Sequence, residues 1–325
     1  LNAKTEEHLY MNNNLYLNMT RYVSEIFGFP PSNKTEGVNK IRKEFKCPYY
    51  SGFPKGQCDP VNKKSNLTDE DGKPMLHHQS GACSVLHMHR GLENSTPVII
   101  CPYRFFERDN SGKLVIFDYI KQKFFGGKDL ILVPEIGLCV YGRADGILCQ
   151  ISHKGDSEFT VHDYAHLELQ SDATTATREL VQCVKDFFDG KDITKNNYTY
   201  GLNSKASIKG SSLQMIDKGY LFKHFGKKSI WIIQDSLFHI LCSIYNVKMT
   251  DITNTNPQKD ENLIFVVVSS KYDKLEDRYK IYVSKSYSTS PDLLQKAISQ
   301  KAPIDESDIM DSVLTKISGK IFQKI

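Results

Sequence analysis

The sequence predicts a mixed α/β protein, a mixed sheet flanked by helices with a loop-rich N-terminal region packed against it. Runs such as Leu130-Ile131-Leu132-Val133-Pro134-Glu135 and Leu263-Ile264-Phe265-Val266-Val267-Val268 have the length and β-branched content of buried strands. Between Ala173 and Phe188, the positions Leu180, Val181, Val184, Phe187 and Phe188 recur at helical spacing. Residues 46 to 96 show neither period. They carry Gly52, Pro54, Gly56, Pro60, Gly72, Pro74, Gly81 and Gly91, and too little patterned apolar surface for a core of their own.

The elements follow in order. Leu9, Leu15, Met19, Val23, Ile26 and Phe27 suit an amphipathic helix from Thr5 to Phe27, ended by Gly28 and Pro30-Pro31, and a second short helix spans Thr35 to Phe45. Leu114-Val115-Ile116-Phe117 starts a strand or a helix, and Leu130 to Glu135 is a buried strand that ends in an acid. Leu138 to Ile151 reads as a strand interrupted by Gly142-Arg143-Ala144-Asp145-Gly146, followed by a turn over 153 to 156 and a returning strand from Glu158 to Gln170. After the Ala173 to Phe188 helix, a polar loop covers 189 to 211. A long helical pattern then runs from Leu213 to Leu241, broken at Gly226, with Trp231, Ile232, Leu237, Phe238 and Leu241 on its apolar face. Leu263 to Val268 is a buried strand, Tyr279 to Val283 a half-buried one, and helix returns from Pro291.

At 325 residues, 40% hydrophobic and 25% charged, the chain can bury one large core or two closely packed ones. No run approaches about eighteen consecutive apolar residues, so no membrane helix is expected. No secretory signal is seen, which points to the cytoplasm, and the opening Leu1 points to a natural N-terminus lying further upstream. The net charge of +4 is compatible with a nucleic-acid partner without requiring one. Between Ala206 and Ile230, Lys209, Lys218, Lys223, Lys227 and Lys228 face Asp217 alone, which makes either a basic patch or a solvated helix face.

Eight cysteines divide into two groups. Cys139, Cys149, Cys183 and Cys242 fall in apolar patterns and read as small buried hydrophobes. Cys47, Cys58, Cys83 and Cys101 fall in the loop-rich third, where four thiolates around one tetrahedral ion would crosslink a segment that lacks its own core. Their intervals of 10, 24 and 17 residues lack the paired knuckles of zinc ribbons, so buried thiols remain the alternative, and His77, His78, His87 and His89 are competing ligands.

The chemistry concentrates at Tyr164-Ala165-His166-Leu167-Glu168-Leu169-Gln170. Along a strand, Glu168 and Gln170 share one face while Leu167 and Leu169 share the other. With Asp145 on a neighbouring strand, two carboxylates and an amide meet at one spot, with the Leu169 carbonyl as a further oxygen ligand, which is what magnesium needs. Glu135, at the end of the preceding strand, is a candidate third acid. The bland alternative is an edge-strand acid with a solvated amide. A rival reading gives a metal to His162 and His166, four residues apart.

Further motifs appear in a fixed order: Ile26-Phe27-Gly28-Phe29, Cys47-Pro48-Tyr49, Lys55 to Cys58, Gly81-Ala82-Cys83-Ser84-Val85, Cys101-Pro102-Tyr103-Arg104 and Leu167-Glu168-Leu169-Gln170. This set resembles the NotI-type restriction endonucleases, from about residue 22 through the Trp231 region to Ile264-Phe265-Val266. The resemblance implies a PD-(D/E)XK nuclease core over residues 111–325, with Gln170 in place of the usual lysine, and an N-terminal helical and four-cysteine region over 1–110. It implies Glu135, Asp145, Glu168 and Gln170 as catalytic residues, with Asp145 and Glu168 holding Mg2+. Cys47, Cys58, Cys83 and Cys101 would hold one structural iron or zinc. The implied activity is that of a bacterial restriction enzyme, a homodimer cutting palindromic double-stranded DNA to leave 5'-phosphate ends. Lys223, Lys227, Lys228 and Arg143 are candidate phosphate contacts. The alternative function is a non-catalytic, metal-stapled DNA-binding or assembly protein.

Overall fold

A computed structural model describes residues 21–44, 46–49, 81–87, 96–154, 158–300 and 306–319. Residues 5–20 of the expected first helix, Cys58, His77, His78, His89, the side chain of His87 and the turn at 155–157 lie outside the described residues.

The first described element corrects an expectation. β1 (Val23–Ile26) is a strand, not the end of a helix: all four residues are buried, and a four-residue run buried on both faces has no period that separates it from a helix turn. Helix α1 (Glu36–Lys43) follows as expected, and β1 pairs with β2 (Ala82–His87), which pairs with β3 (Thr96–Ile99), all antiparallel. A 3-10 turn at Pro102–Phe106 leads to α2 (Val115–Phe125).

Three antiparallel strands come next: β4 (Leu130–Gly137), β5 (Arg143–Lys154) and β6 (Glu158–Gln170). β4 was expected to be buried but is half-exposed, because it is the edge of the sheet. The short β7 (Thr174–Thr175) and β8 (Gly201–Leu202) pair with each other on either side of α3 (Thr177–Phe188). α4 (Ser204–His224) starts inside what the sequence reads as loop.

β9 (Ser229–Gln234) corrects a further expectation. Trp231 and Ile232 belong to a central strand, not to a helix face, and every residue of that strand is buried. α5 (Asp235–Tyr245), β10 (Thr250–Asp251), β11 (Leu263–Asp273), β12 (Arg278–Thr289), α6 (Pro291–Ser299) and α7 (Glu306–Ser318) complete the described chain.

The large sheet runs β10-β12-β11-β9-β6-β5-β4, with β9 parallel to both neighbours and the remaining pairs antiparallel. Alternation along β9 sorts the core into two layers. Ile230 and Ile232 pack with Ile116, Phe117 and Ile120 of α2, whereas Trp231 and Ile233 pack with Met215 of α4, Leu237 and Leu241 of α5, and Leu294 of α6. Leu180, Cys183 and Val184 of α3 cover the small sheet. Of the second cysteine group, Cys149 and Cys183 are buried and Cys242 partly so, but Cys139 is exposed in a 3-10 turn at the sheet edge, which corrects its reading as a buried hydrophobe. Among the described residues, no helix is long and apolar enough to cross a membrane.

Side chains join the two sheets, and one of them stands at the end of the central strand. Gln234, at the end of β9, accepts from the Ile99 N–H at 2.7 Å and donates to the Pro97 carbonyl at 2.8 Å. Gln234 is itself buried, so truncation would leave two backbone groups without partners in a dry place. Gln234→Ala is expected to cost about 1–3 kcal/mol, and to accelerate hydrogen exchange at the Ile99 amide.

Candidate active site

The register builds the site. β5 and β6 pair as far as Gly146 opposite Leu167, so Asp145 and Glu168 are the next two residues where the strands part. Glu168 faces Trp231 across the β6–β9 ladder, which places it on the layer covered by α4. Opposite faces of β6 therefore do different work: Leu167 enters the α2 layer while His166, Glu168 and Gln170 point towards α4. Gly146, next to Asp145, lies under Leu132, whose Cδ1 occupies the space that a Cβ there would need.

The two acids sit in contrasting environments. Asp145 opens to solvent, yet its carboxylate accepts from the Leu169 N–H at 2.8 Å and lies beside Glu168. Crowding around the carboxyl, then the neighbouring Glu168 charge, push Asp145 up from 3.8 to about 6. Glu168 is buried, which would raise it as well. His166 and Lys218 outweigh that burial, and hold it below the ordinary carboxylate range.

Those two partners share one oxygen. Glu168 Oε1 accepts from His166 Nε2 at 2.9 Å and from Lys218 Nζ. Burial lowers the affinity of His166 for a second proton, so the ring is neutral, and the tautomer that donates to Glu168 leaves Nδ1 to accept from Ser229 Oγ at 2.8 Å. Ser229 Oγ in turn accepts from Trp231 Nε1 at 3.1 Å. The imidazole stacks on Phe222 with ring centroids 4.7 Å apart. A chain of fixed groups thus aims one carboxylate.

The remaining candidates separate. Gln170 donates to the Ser171 carbonyl at 3.1 Å and lines a cleft of about 660 Å³ with Asp172, Ser207, Gly210, Ser211 and Gln214. Glu135 adopts a left-handed conformation, φ 53°, which takes it out of the β4–β5 pairing opposite Asp145; its carboxylate lies 3.9 Å from Arg143 at the surface. Arg143 is 76% exposed, close to the acids and available to a phosphate. Lys223 and Lys227 are already engaged, with Asp292 at 2.5 Å and with Asp163 at 2.6 Å, and Lys228 is half-buried. The expected basic patch therefore splits. Lys218 in particular is not surface charge but a buried member of the site.

His162 and His166 do not form a metal pair. His162 bonds Ser152 at 2.6 Å on the surface, while both nitrogens of His166 are engaged inside. Among the described residues, no cluster of three or more His, Cys, Asp or Glu side chains is arranged to hold an ion. Two hard carboxylates with like-charge strain between them fit magnesium, which binds through one or two carboxylates and keeps several waters.

Sequence reasoning did not single out Lys218, Ser229 or Trp231 for the site. The signal was present for the first of them: within a helix from 204 to 224, Ile208, Ser211, Met215, Lys218 and Phe222 fall on one buried stripe, and an isolated lysine there needs an internal partner. Compared with protein-family models, with curated proteins and with solved structures, the chain matches none of them.

Proposed function

We propose that the chain is a magnesium-dependent endonuclease that hydrolyses phosphodiesters of double-stranded DNA, with a PD-(D/E)XK-type core. The observation that carries this reading is the pairing of Asp145 with Glu168 at the parting ends of β5 and β6, two residues before Gln170. The order of elements supports it too. α2 and the β4–β5–β6 meander are followed, after the inserted β7, α3 and β8, by α4 and then β9 parallel to β6, so that a helix, three strands, a helix and a strand surround the acids.

In this reading Asp145 and Glu168 hold the ion, with the Leu169 carbonyl as a further oxygen ligand. Bound there, magnesium supplies charge shielding for the phosphodiester, a more acidic water and stabilisation of the departing oxygen. His166 orients Glu168 through its Nε2–H and, with Lys218, favours the ionised carboxylate. Gln170 offers an amide oxygen to orient a water, and cannot take its proton. Arg143 meets phosphate, and such a contact positions DNA without reading sequence. Two-fold related sites on a palindrome require two copies of the chain, hence a homodimer acting as a restriction enzyme in a bacterial cytoplasm and leaving 5'-phosphate ends.

The same reading gives Cys47, Cys58, Cys83 and Cys101 to a structural iron or zinc, which thiolates suit. The Cys83 carbonyl accepts from the Ile100 N–H at 3.1 Å and the Cys101 N–H at 3.3 Å, and Cys47 packs against the core cluster that includes Cys83. Elemental analysis of the purified protein is expected to give one iron or zinc per chain. None, with all four thiols titrating in the native state, would remove the staple.

The test of the activity is digestion of plasmid and phage DNA with magnesium or with EDTA. Discrete magnesium-dependent fragments are expected, and a smear would leave a nuclease without sequence specificity. Intact DNA that the protein nevertheless retains in a binding assay would favour the non-catalytic DNA-binding alternative.

A further inference from the structure

Among the described residues, the one lysine inside the candidate site comes from a helix, not from the strand that carries Glu168 and Gln170. Lys218 is 1% exposed on its side chain. Its ammonium has three protons and the structure gives it three acceptors: Glu168 Oε1, the Arg143 carbonyl at 2.6 Å and Gln214 Oε1 at 3.3 Å. Burying a charge this completely is costly unless it is paired and fully hydrogen-bonded, and Lys218 meets both conditions. Its acceptors lie on β6, on β5 and one turn back along α4. The ammonium therefore ties together the two strand ends that carry the acids.

Close packing delivers it there. Gly219 lets α4 approach the sheet, since a Cβ at that position would come within 2.8 Å of Pro291 and 3.3 Å of Leu263. Ordinary core packing does not require an ammonium at that point, because Met215 and Phe222 on the same stripe fill the layer with apolar groups. Every acid and amide around the site is polar or negative: Asp145, Glu168, Gln170 and Gln214. Lys218 supplies a buried positive charge against Glu168, the buried one of these four.

We propose that Lys218 is a positioning residue of the magnesium site, fixing Glu168 by one oxygen so that the other faces Asp145 and the cation. The inference rests on the nuclease reading for its catalytic consequence, but not for its consequence on magnesium binding. A fixed ammonium beside the carboxylates repels the incoming cation while it orients the ligand. Its removal therefore moves two quantities in opposite directions, and a merely structural lysine would move neither in that pattern.

The experiment uses the full chain with Lys218→Met and Lys218→Arg. In Lys218→Met, calorimetric titration with Mg2+ is expected to show binding about tenfold tighter, from the loss of a nearby like charge. The kcat for DNA cleavage is expected to fall about a hundredfold with KM changed less than about threefold, as expected when transition-state stabilisation is lost and DNA binding is kept. Lys218→Arg keeps charge and donors, and should restore the magnesium affinity and bring kcat to within about tenfold of wild type. Wild-type kcat and unchanged magnesium affinity in folded Lys218→Met would overturn the proposal.

A measurement on the unaltered protein stands in if the variants do not fold. With lysine side chains labelled at Nζ, the buried Lys218 ammonium resonance is expected to shift as Mg2+ is added, and an unmoved resonance in a protein that binds the ion overturns the proposal. Protein that binds no magnesium overturns it as well. Magnesium binding with a shifted resonance but no cleavage would instead remove the nuclease reading and leave Lys218 as an element of the cation site.

Discussion

Arg104→Met is expected to lower the stability of the chain by about 3–5 kcal/mol, the cost of leaving a buried ion-pair network with one partner missing. Arg104 is fully buried, and its donors reach across the fold. Nε meets both oxygens of Glu25 at 3.1 and 3.2 Å, Nη1 meets Glu107, and Nη2 donates to the Tyr279 carbonyl at 2.8 Å. Arg278 meets the other oxygen of Glu107 at 2.9 Å, the Ile281 N–H donates to Glu107 at 3.1 Å, and Ser84 donates to Glu25. The guanidinium also lies 4.6 Å from the centre of the Tyr49 ring. Burial alone would favour losing the charge, but Glu25, Tyr49 and Glu107 outweigh it and keep Arg104 charged.

The network joins β1, β2, the 3-10 turn after β3, and β12, so its failure loosens the N-terminal sheet from the large one. Removing Arg104 alone strands Glu25 with a single hydroxyl donor. Removing the charge of Glu25 at the same time, in Arg104→Met/Glu25→Gln, is expected to recover much of the loss, because the penalty belongs to an uncompensated charge and not to a missing contact. Urea unfolding of the two variants beside wild type reads both values. A double variant as unstable as the single one would mean that Arg104 acts mainly through packing.

What could be read in the sequence depended on how each segment is buried. The β5–β6 hairpin and the facing pair Asp145 and Glu168 were legible because polar and apolar residue types alternate from His166 to Gln170, which leaves a period of two to count even though Ala165 to Glu168 is buried on both faces. β9 was not legible. Ile230-Trp231-Ile232-Ile233 is covered on both faces, shows no alternation, and directly precedes a true helix, so it merged with that helix into one apolar pattern. β1 misled for the same reason, in a run of four buried residues. Lys218 was visible only as charge. Reading it as part of the site required knowing that α4 lies over β6, a relation between segments some fifty residues apart that no local pattern encodes.

Asp145→Asn is expected to abolish cleavage and at the same time to stabilise the magnesium-free protein. The activity falls about a thousandfold if the ion supplies several kcal/mol to the transition state, at about 1.4 kcal/mol per decade. The stability effect follows from the displacement of Asp145 from 3.8 to about 6. Ionisation is harder in the folded chain than in the unfolded one, so the native state binds the proton more tightly and stability falls as pH rises through the interval from about 4 to 6, then stays flat. That displacement bounds the cost at about 3 kcal/mol, and the solvent reaching this open residue screens it to about 1 kcal/mol. Asparagine removes the charge and keeps an oxygen to accept from the Leu169 N–H. The thermal midpoint of the variant should therefore exceed that of wild type by about 1–3 °C at pH 8 and match it at pH 4. Magnesium reverses the order. An ion that binds only the native state stabilises wild type, by about 2.7 kcal/mol at a hundred times its dissociation constant, and leaves the variant unchanged. Stability and activity that move in opposite directions mark an acid kept for a ligand. An Asp145→Asn protein that still cuts DNA, and melts lower than wild type at pH 8, would place Asp145 among the structural acids instead.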